Sequence, residues 1–249
     1  MKTLFAALLI TLASNCFAQN PNLRNMNLTP INTVPTSDWF SFKRTVYYDN
    51  EVYVINGNKV YGTPFLYHNW APGVVIGVDG SVFSGYQLKY DAYNQTVLFQ
   101  KGTDSLEITN VIQEFTLNIK IGDSTQNLHF VNANQYKKEQ STFYYQVLSE
   151  GESGQFLCYN RKFVNDEDKS LPALEGKKYF DMELTYYYYD KNKKKLNKIR
   201  AGGGNIESLL GADNIKRSGL SLKDYNFSSE SDMVKFFDQY FEVQSKKAF

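Results

Sequence analysis

VVIGVDGSVFSGYQL, residues 74–88, contains two runs of β-branched and aromatic residues on either side of Asp79-Gly80. An Asp-Gly pair accepts the left-handed backbone that a tight turn between antiparallel strands requires. The segment therefore predicts a β-hairpin. Similar short runs rich in Tyr, Phe, Val and Ile, broken by turn residues, continue over residues 38–200. This pattern is typical of an antiparallel β domain.

Further hairpins are predicted at five places along the same region. Their turns fall near residues 56–58, 93–95, 122–123, 151–154 and 190–193. This pattern predicts roughly ten to thirteen strands joined by local connections. The expected fold class is mainly β: an antiparallel meander that forms a barrel-like, sandwich or strongly bent sheet.

The sequence changes character after Arg200, where residues 201–249 predict a small α-helical C-terminal segment. A glycine triplet at 202–204 leads into a short helix at 206–210, and a second helix is predicted after Ser229. The apolar residues of that second helix recur at helical spacing, so it is expected to pack on the β domain. The glycine triplet lacks the spacing of a phosphate-binding loop and is interpreted as a reversal from sheet to helix.

The N-terminus predicts export. Residues 1–18 have a charged start at Lys2, a short apolar core and small residues before Gln19, which is the pattern of a cleaved signal peptide. Ala13 and Asn15 do not suit a lipobox that would retain Cys16. Residues 19–37, with three prolines, are expected to form an extended lead-in. The predicted location is periplasmic or extracellular, with association with the outer membrane as one option.

Charge and cysteine content exclude several classes of function. The chain has 27 Lys and Arg against 26 Asp and Glu, and removal of Lys2 with the signal peptide leaves these charges balanced. A neutral chain lacks the excess of cations that nucleic-acid binding requires. Cys158 becomes the single cysteine, so no internal disulfide is expected. No cofactor and no transmembrane segment in the mature chain are predicted.

Aromatic residues suggest where a ligand would bind. They make up 16% of the chain, and aromatic rings with nearby polar groups are characteristic of ligand sites. Because such rings stack on sugars, we predict a glycan or another envelope component as ligand. The predicted ligand-binding residues are Tyr67, His68 and Trp70, in a loop, together with Tyr186 and Tyr188, in a strand.

A dense basic patch follows the tyrosine-rich strand. It lies at a predicted hairpin tip and consists of Lys191, Lys193, Lys194, Lys195 and Lys198. Such lysines protect a sheet edge and keep a protein soluble, and they also offer contacts to anionic lipid or polysaccharide.

Two alternatives to a non-catalytic binding module stay open. A secreted hydrolase would need His68 or His129 next to an acid or a hydroxyl in an open pocket. A structural or partner-binding envelope protein would instead expose an apolar patch. The sequence predicts no catalytic residue and no metal ligand, since HExxH, GxSxG and SxxK motifs are absent.

Three features together resemble uncharacterised secreted proteins of Bacteroidetes-type bacteria. They are the ending Phe17-Ala18-Gln19 at the cleavage region, the segment GVDGSVFSGYQLKYD at 77–91, and the order of strand, basic turn and helix over residues 179–210. The resemblance implies an envelope or extracellular location and no established activity. It assigns no functional residues.

Overall fold

The computed structural model describes residues 42–44, 52–56, 58–136, 142–165 and 177–246. The predicted signal peptide and lead-in lie outside these residues, as does Gly57 of the first predicted turn. Within them, thirteen strands and three α-helices form: β1 Phe42–Arg44, β2 Val52–Ile55, β3 Asn58–Tyr61, β4 Ala71–Gly77, β5 Val82–Asp91, β6 Thr96–Lys101, β7 Asp104–Ile108, β8 Ile112–Ile121, β9 Ser124–Asn132, β10 Tyr144–Glu150, β11 Gly154–Asn165, β12 Lys178–Asp190, β13 Lys195–Lys198, α1 Ile206–Leu210, α2 Ala212–Ser218 and α3 Glu230–Lys246.

All thirteen strands belong to one sheet, which confirms the predicted mainly β class. The order is β1-β7-β6-β5-β4-β8-β9-β10-β11-β12-β3-β2, and β13 also pairs with β12. Among the described strands the sheet does not close into a ring, which corresponds to the sandwich or bent-sheet forms of the prediction. Its pairs are antiparallel except β12 with β3. No tight turn joins these two strands, so no turn dictates their relative direction.

The sheet bends far enough for the β5–β6 turn to reach β11. The Lys162 amide donates to the Ala92 carbonyl at 2.9 Å. The Gln95 side-chain amide donates to the Asn160 carbonyl at 3.1 Å and to the Ala92 carbonyl at 2.6 Å. These bonds satisfy backbone groups of β11 beyond the point where it leaves β10.

The inner face of this bend holds most of the core. One row of register partners crosses it: Phe115, Phe130, Gln146, Cys158 and Tyr186. Phe115 and Phe130 stack at 4.6 Å between ring centroids. Cys158 is fully buried, and burial raises the pKa of its thiol, so it is a small apolar core residue rather than a nucleophile.

The C-terminal helix α3 packs on β10 and β11. Its apolar stripe is buried and contacts Phe156 and Tyr188 of the sheet; it consists of Met233, Phe236, Phe237, Tyr240 and Phe241. At the same interface the Ser149 hydroxyl donates to Asp238 Oδ1 at 2.5 Å. The stripe is therefore core.

We expect the protein to lose stability steeply above pH 10. Burial raises the pKa values of Tyr90, Tyr144 and Tyr188 above the ordinary value of 10.0. The unfolded chain releases these protons near pH 10 while the folded chain retains them. The stability that these buried tyrosines contribute is therefore fully present below pH 10 and falls as the pH rises. The last part of the rise in phenolate absorbance, from the buried tyrosines, should coincide with loss of β-sheet circular dichroism. Complete phenolate absorbance at a pH where the sheet is intact would contradict this.

Candidate ligand-binding face

The outer face of β8–β13 carries a second row of register partners. It runs through Thr116, His129, Val147, Leu157, Tyr187 and Lys198 on six adjacent strands. Side chains of successive residues in a strand point to opposite faces. Tyr187 and Tyr189 therefore lie on the outer face, whereas Tyr186 and Tyr188 lie on the inner one.

Six aromatic rings gather on the outer face and form what we term the outer aromatic cluster: Tyr136, Phe143, Tyr145, Tyr159, Tyr187 and Tyr189. Tyr145 is at the centre and is 1% exposed, while the other five are partly exposed. The ring of Tyr145 lies 5.2 Å from that of Tyr187 and 5.6 Å from that of Tyr136. The cluster is thus a connected set of rings with one buried member.

The ring of Tyr136 reaches the cluster from outside the strands. It follows the 3-10 turn Ala133–Gln135, which Asn132 caps by accepting a hydrogen bond from the Asn134 amide at 2.9 Å. This turn brings the ring of Tyr136 to 4.8 Å from that of Tyr189. Burial, with the nearby charges of Glu150 and Glu114, raises the pKa of Tyr136, so its hydroxyl stays protonated at neutral pH.

Polar groups border the cluster on two sides. On β8 and β9, His129 Nε2 lies 3.0 Å from Glu114 Oε2, with 31% and 10% of the two side chains exposed. On the other side, the Lys191 ammonium donates to Glu150 Oε1 at 2.6 Å and to the Gly151 carbonyl at 3.0 Å. Aromatic surface bordered by a few fixed polar groups is the composition expected of a small-molecule or sugar site.

The structure places the five predicted ligand residues in different environments. Tyr67 is partly buried, and burial and the charge of Glu230 raise its pKa. The Tyr186 hydroxyl donates to Glu230 Oε2 at 2.9 Å, so Tyr67 and Tyr186 share the neighbourhood of that carboxylate on the inner face. His68 is exposed.

The other two predicted residues lie elsewhere. The ring of Trp70 is partly buried, and its centroid is 5.1 Å from Lys89 Nζ. Tyr188 is 3% exposed and packs on Phe237 beneath α3, so no ligand reaches it in this structure. The tyrosine-rich strand indicated an aromatic face, but the residues that present it are Tyr187 and Tyr189.

The predicted basic patch occupies the β12–β13 turn and β13. Lys193 Nζ lies 3.1 Å from Asp190 Oδ2, and Lys191 is paired with Glu150 as described above. Lys194, Lys195 and Lys198 are exposed. Lys198 is the register partner of Tyr187, which brings one cation of the patch beside the outer aromatic cluster.

Within the described ranges, no group of three or more His, Cys, Asp and Glu side chains is placed to hold a metal ion. In the same part of the chain, no helix combines the length and the apolar character needed to span a membrane. Comparisons of the chain with protein-family models, curated proteins and solved structures found no match.

Proposed function

We propose that this protein is an exported, non-catalytic module that binds a glycan of the cell envelope or its surroundings through the outer aromatic cluster. The observation that carries the proposal is the set of five partly exposed rings around Tyr145, bordered by His129–Glu114 and Lys191–Glu150. Aromatic faces pack against the C–H faces of sugar rings, and the bordering side chains supply donors and acceptors for hydroxyl groups.

The energetics favour this use of the face. Tyrosine places a large rigid ring at a binding surface at a small cost in conformational entropy. Burial raises the pKa values of Tyr159 and Tyr187, so their hydroxyls stay neutral and serve as hydrogen-bond donors over the physiological range. Lys198, beside Tyr187, adds a cation that would favour a polysaccharide with acidic groups.

We expect Tyr187→Ala to weaken glycan binding about tenfold or more, because a few aromatic residues dominate the binding energy at such surfaces. Mobility of the protein in native gels that contain β-glucan, xylan or polygalacturonate measures the affinity for each polymer. Tyr67→Ala is the matched control on the inner face. If Tyr67→Ala abolished the retardation in the gel and Tyr187→Ala left it intact, the binding site would lie at the loop that carries Tyr67 instead.

A second candidate function, a secreted glycan hydrolase, is favoured by the His129–Glu114 contact at the border of the same face. A carboxylate that accepts a hydrogen bond from an imidazole orients it for proton transfer. The binding proposal predicts that incubation with the same polymers releases no reducing ends. Release that is lost in His129→Gln, while gel retardation persists, would establish the hydrolase instead.

A further inference from the structure

The edge of β12 away from β11 is only partly paired. β3 covers it at Lys178 and Tyr179, and β13 covers residues 187–190. The Ile199 amide extends the second contact by donating to the Tyr186 carbonyl at 2.8 Å. Between them, residues 180–185 have no strand partner on this side in the described part of the chain. We term this interval the β12 slot.

The slot presents both backbone groups and apolar side chains. Backbone directions alternate along a strand, so the Tyr186 carbonyl that meets Ile199 implies that Leu184 and Met182 also turn their backbone groups to this edge. The Met182 amide donates to Asp181 Oδ1 at 2.8 Å, a bond that a main-chain acceptor of an added strand would replace. The side chains of Met182 and Leu184 are 43% and 39% exposed and share one strand face. An edge with this composition is a template for another strand.

The strands at the two ends of the slot limit what can bind there. β3 and β13 lie in the plane of the sheet, one strand spacing of about 4.8 Å from β12, and the interval between them is about 20 Å long. Gly62, whose φ is +86°, still lies beside β12, since a Cβ there would be 3.9 Å from Phe180 Cβ, so β3 and Gly62 close the slot at its Phe180 end. A second copy of this protein would bring its own β3 and β13 into the same space. A single extended peptide fits between β3 and β13, whereas the sheet edge of a second copy does not.

Charge adds a preference for the sequence of that segment. Asp181 and Glu183 are exposed and lie on the outer face of the slot. Glu183 Oε2 lies 3.7 Å from Arg161 Nη1, and both side chains are more than half exposed. Exposed ion pairs of this kind contribute little to stability. Opposite charges on adjacent strands attract, so basic residues in the added strand face Asp181 and Glu183.

We propose that the β12 slot binds an extended peptide segment by strand addition, and that this segment alternates basic with apolar residues. Its basic side chains face Asp181 and Glu183, and its apolar side chains pack on Met182 and Leu184. Main-chain hydrogen bonds to the edge supply affinity, and the alternation supplies specificity. This site is separate from the outer aromatic cluster and does not depend on the function proposed for it.

A fluorescein-labelled peptide of alternating lysine and valine tests the slot by fluorescence anisotropy against the full chain. We expect saturable binding that weakens about tenfold when the peptide amides facing the edge are N-methylated, because each methyl group removes a main-chain hydrogen bond. Leu184→Lys should weaken binding similarly, since it places a cation and removes apolar contact at an exposed position. A peptide of alternating glutamate and valine should bind far more weakly.

Three results would overturn the proposal. They are no binding of the lysine–valine peptide, equal binding of its N-methylated form, and equal binding of the glutamate–valine peptide. Sedimentation of the chain alone supplies a further test. Self-association that Leu184→Lys abolishes would identify the edge as a contact between copies and would likewise contradict the single-segment slot. Circular dichroism of Leu184→Lys should match the unaltered protein.

Discussion

Replacing Phe237 with alanine is expected to lower the free energy of unfolding by about 3–5 kcal/mol, the range for deleting a fully buried phenylalanine. Phe237 is 0% exposed. Its ring stacks on that of Phe156 at 4.4 Å and lies 5.9 Å from that of Tyr188. These contacts join α3 to β11 and β12, so the substitution leaves a cavity at the centre of the helix–sheet interface.

Urea unfolding followed by circular dichroism measures this loss as a shift of the midpoint at constant slope. Lys235→Ala is the matched control, because Lys235 is exposed on the same helix, and alanine favours a helix. We expect Lys235→Ala to change the unfolding free energy by less than about 0.5 kcal/mol. If Phe237→Ala were as stable as this control, α3 would not be part of the cooperative fold.

Gly73→Ala is expected to destabilise the sheet by about 3 kcal/mol, the upper end for overpacking a well-packed site. A Cβ at Gly73 would lie 2.2 Å from the Thr116 carbonyl oxygen and 2.8 Å from Leu88 Cδ1. The nearer atom belongs to the backbone of β8, so rotating a side chain does not relieve the contact. β4 or β8 has to move, and the pairing at the centre of the sheet is disturbed.

The control for this prediction is Gly204→Ala. A Cβ at Gly204 meets nothing within 4 Å, and its backbone has an ordinary negative φ of −58°. We expect thermal unfolding of Gly204→Ala to match that of the unaltered protein, whereas Gly73→Ala should melt several degrees lower. Equal melting temperatures for the two variants would mean that β4 and β8 do not approach as closely as the structure shows.

Local sequence patterns predicted the hairpins well because their turns are encoded in a few adjacent residues. Asp79-Gly80 lies between β4 and β5, and Gly122-Asp123 lies between β8 and β9, as the turn residues indicated. No run of β-branched and aromatic residues predicted β7, and no helical spacing of apolar residues predicted α2. β7 contains the polar residues Asp104, Ser105 and Glu107, so its strand character depends on pairing with β1 and β6 rather than on composition.

The candidate site was only partly predictable, because it depends on contacts between distant residues. The run of tyrosines in β12 predicted an aromatic face, but alternation alone did not say which side α3 covers. That depends on the stripe of α3, which packs on Phe156 and Tyr188 and leaves Tyr187 and Tyr189 on the other face. Tyr136 joins the cluster from a 3-10 turn, and Glu114 meets His129 across two strands. No spacing in the sequence encodes these contacts.

The most direct test of glycan binding at the outer aromatic cluster is fluorine NMR of protein labelled with 3-fluorotyrosine, titrated with an oligosaccharide of the polymer that retards it in gels. Signals are assigned by single Tyr→Phe variants. Binding at the outer aromatic cluster predicts saturable shifts at Tyr136, Tyr159, Tyr187 and Tyr189, with Tyr67 and Tyr186 unchanged. Shifts confined to Tyr67 and Tyr186, or no saturable shift at any tyrosine, would contradict it.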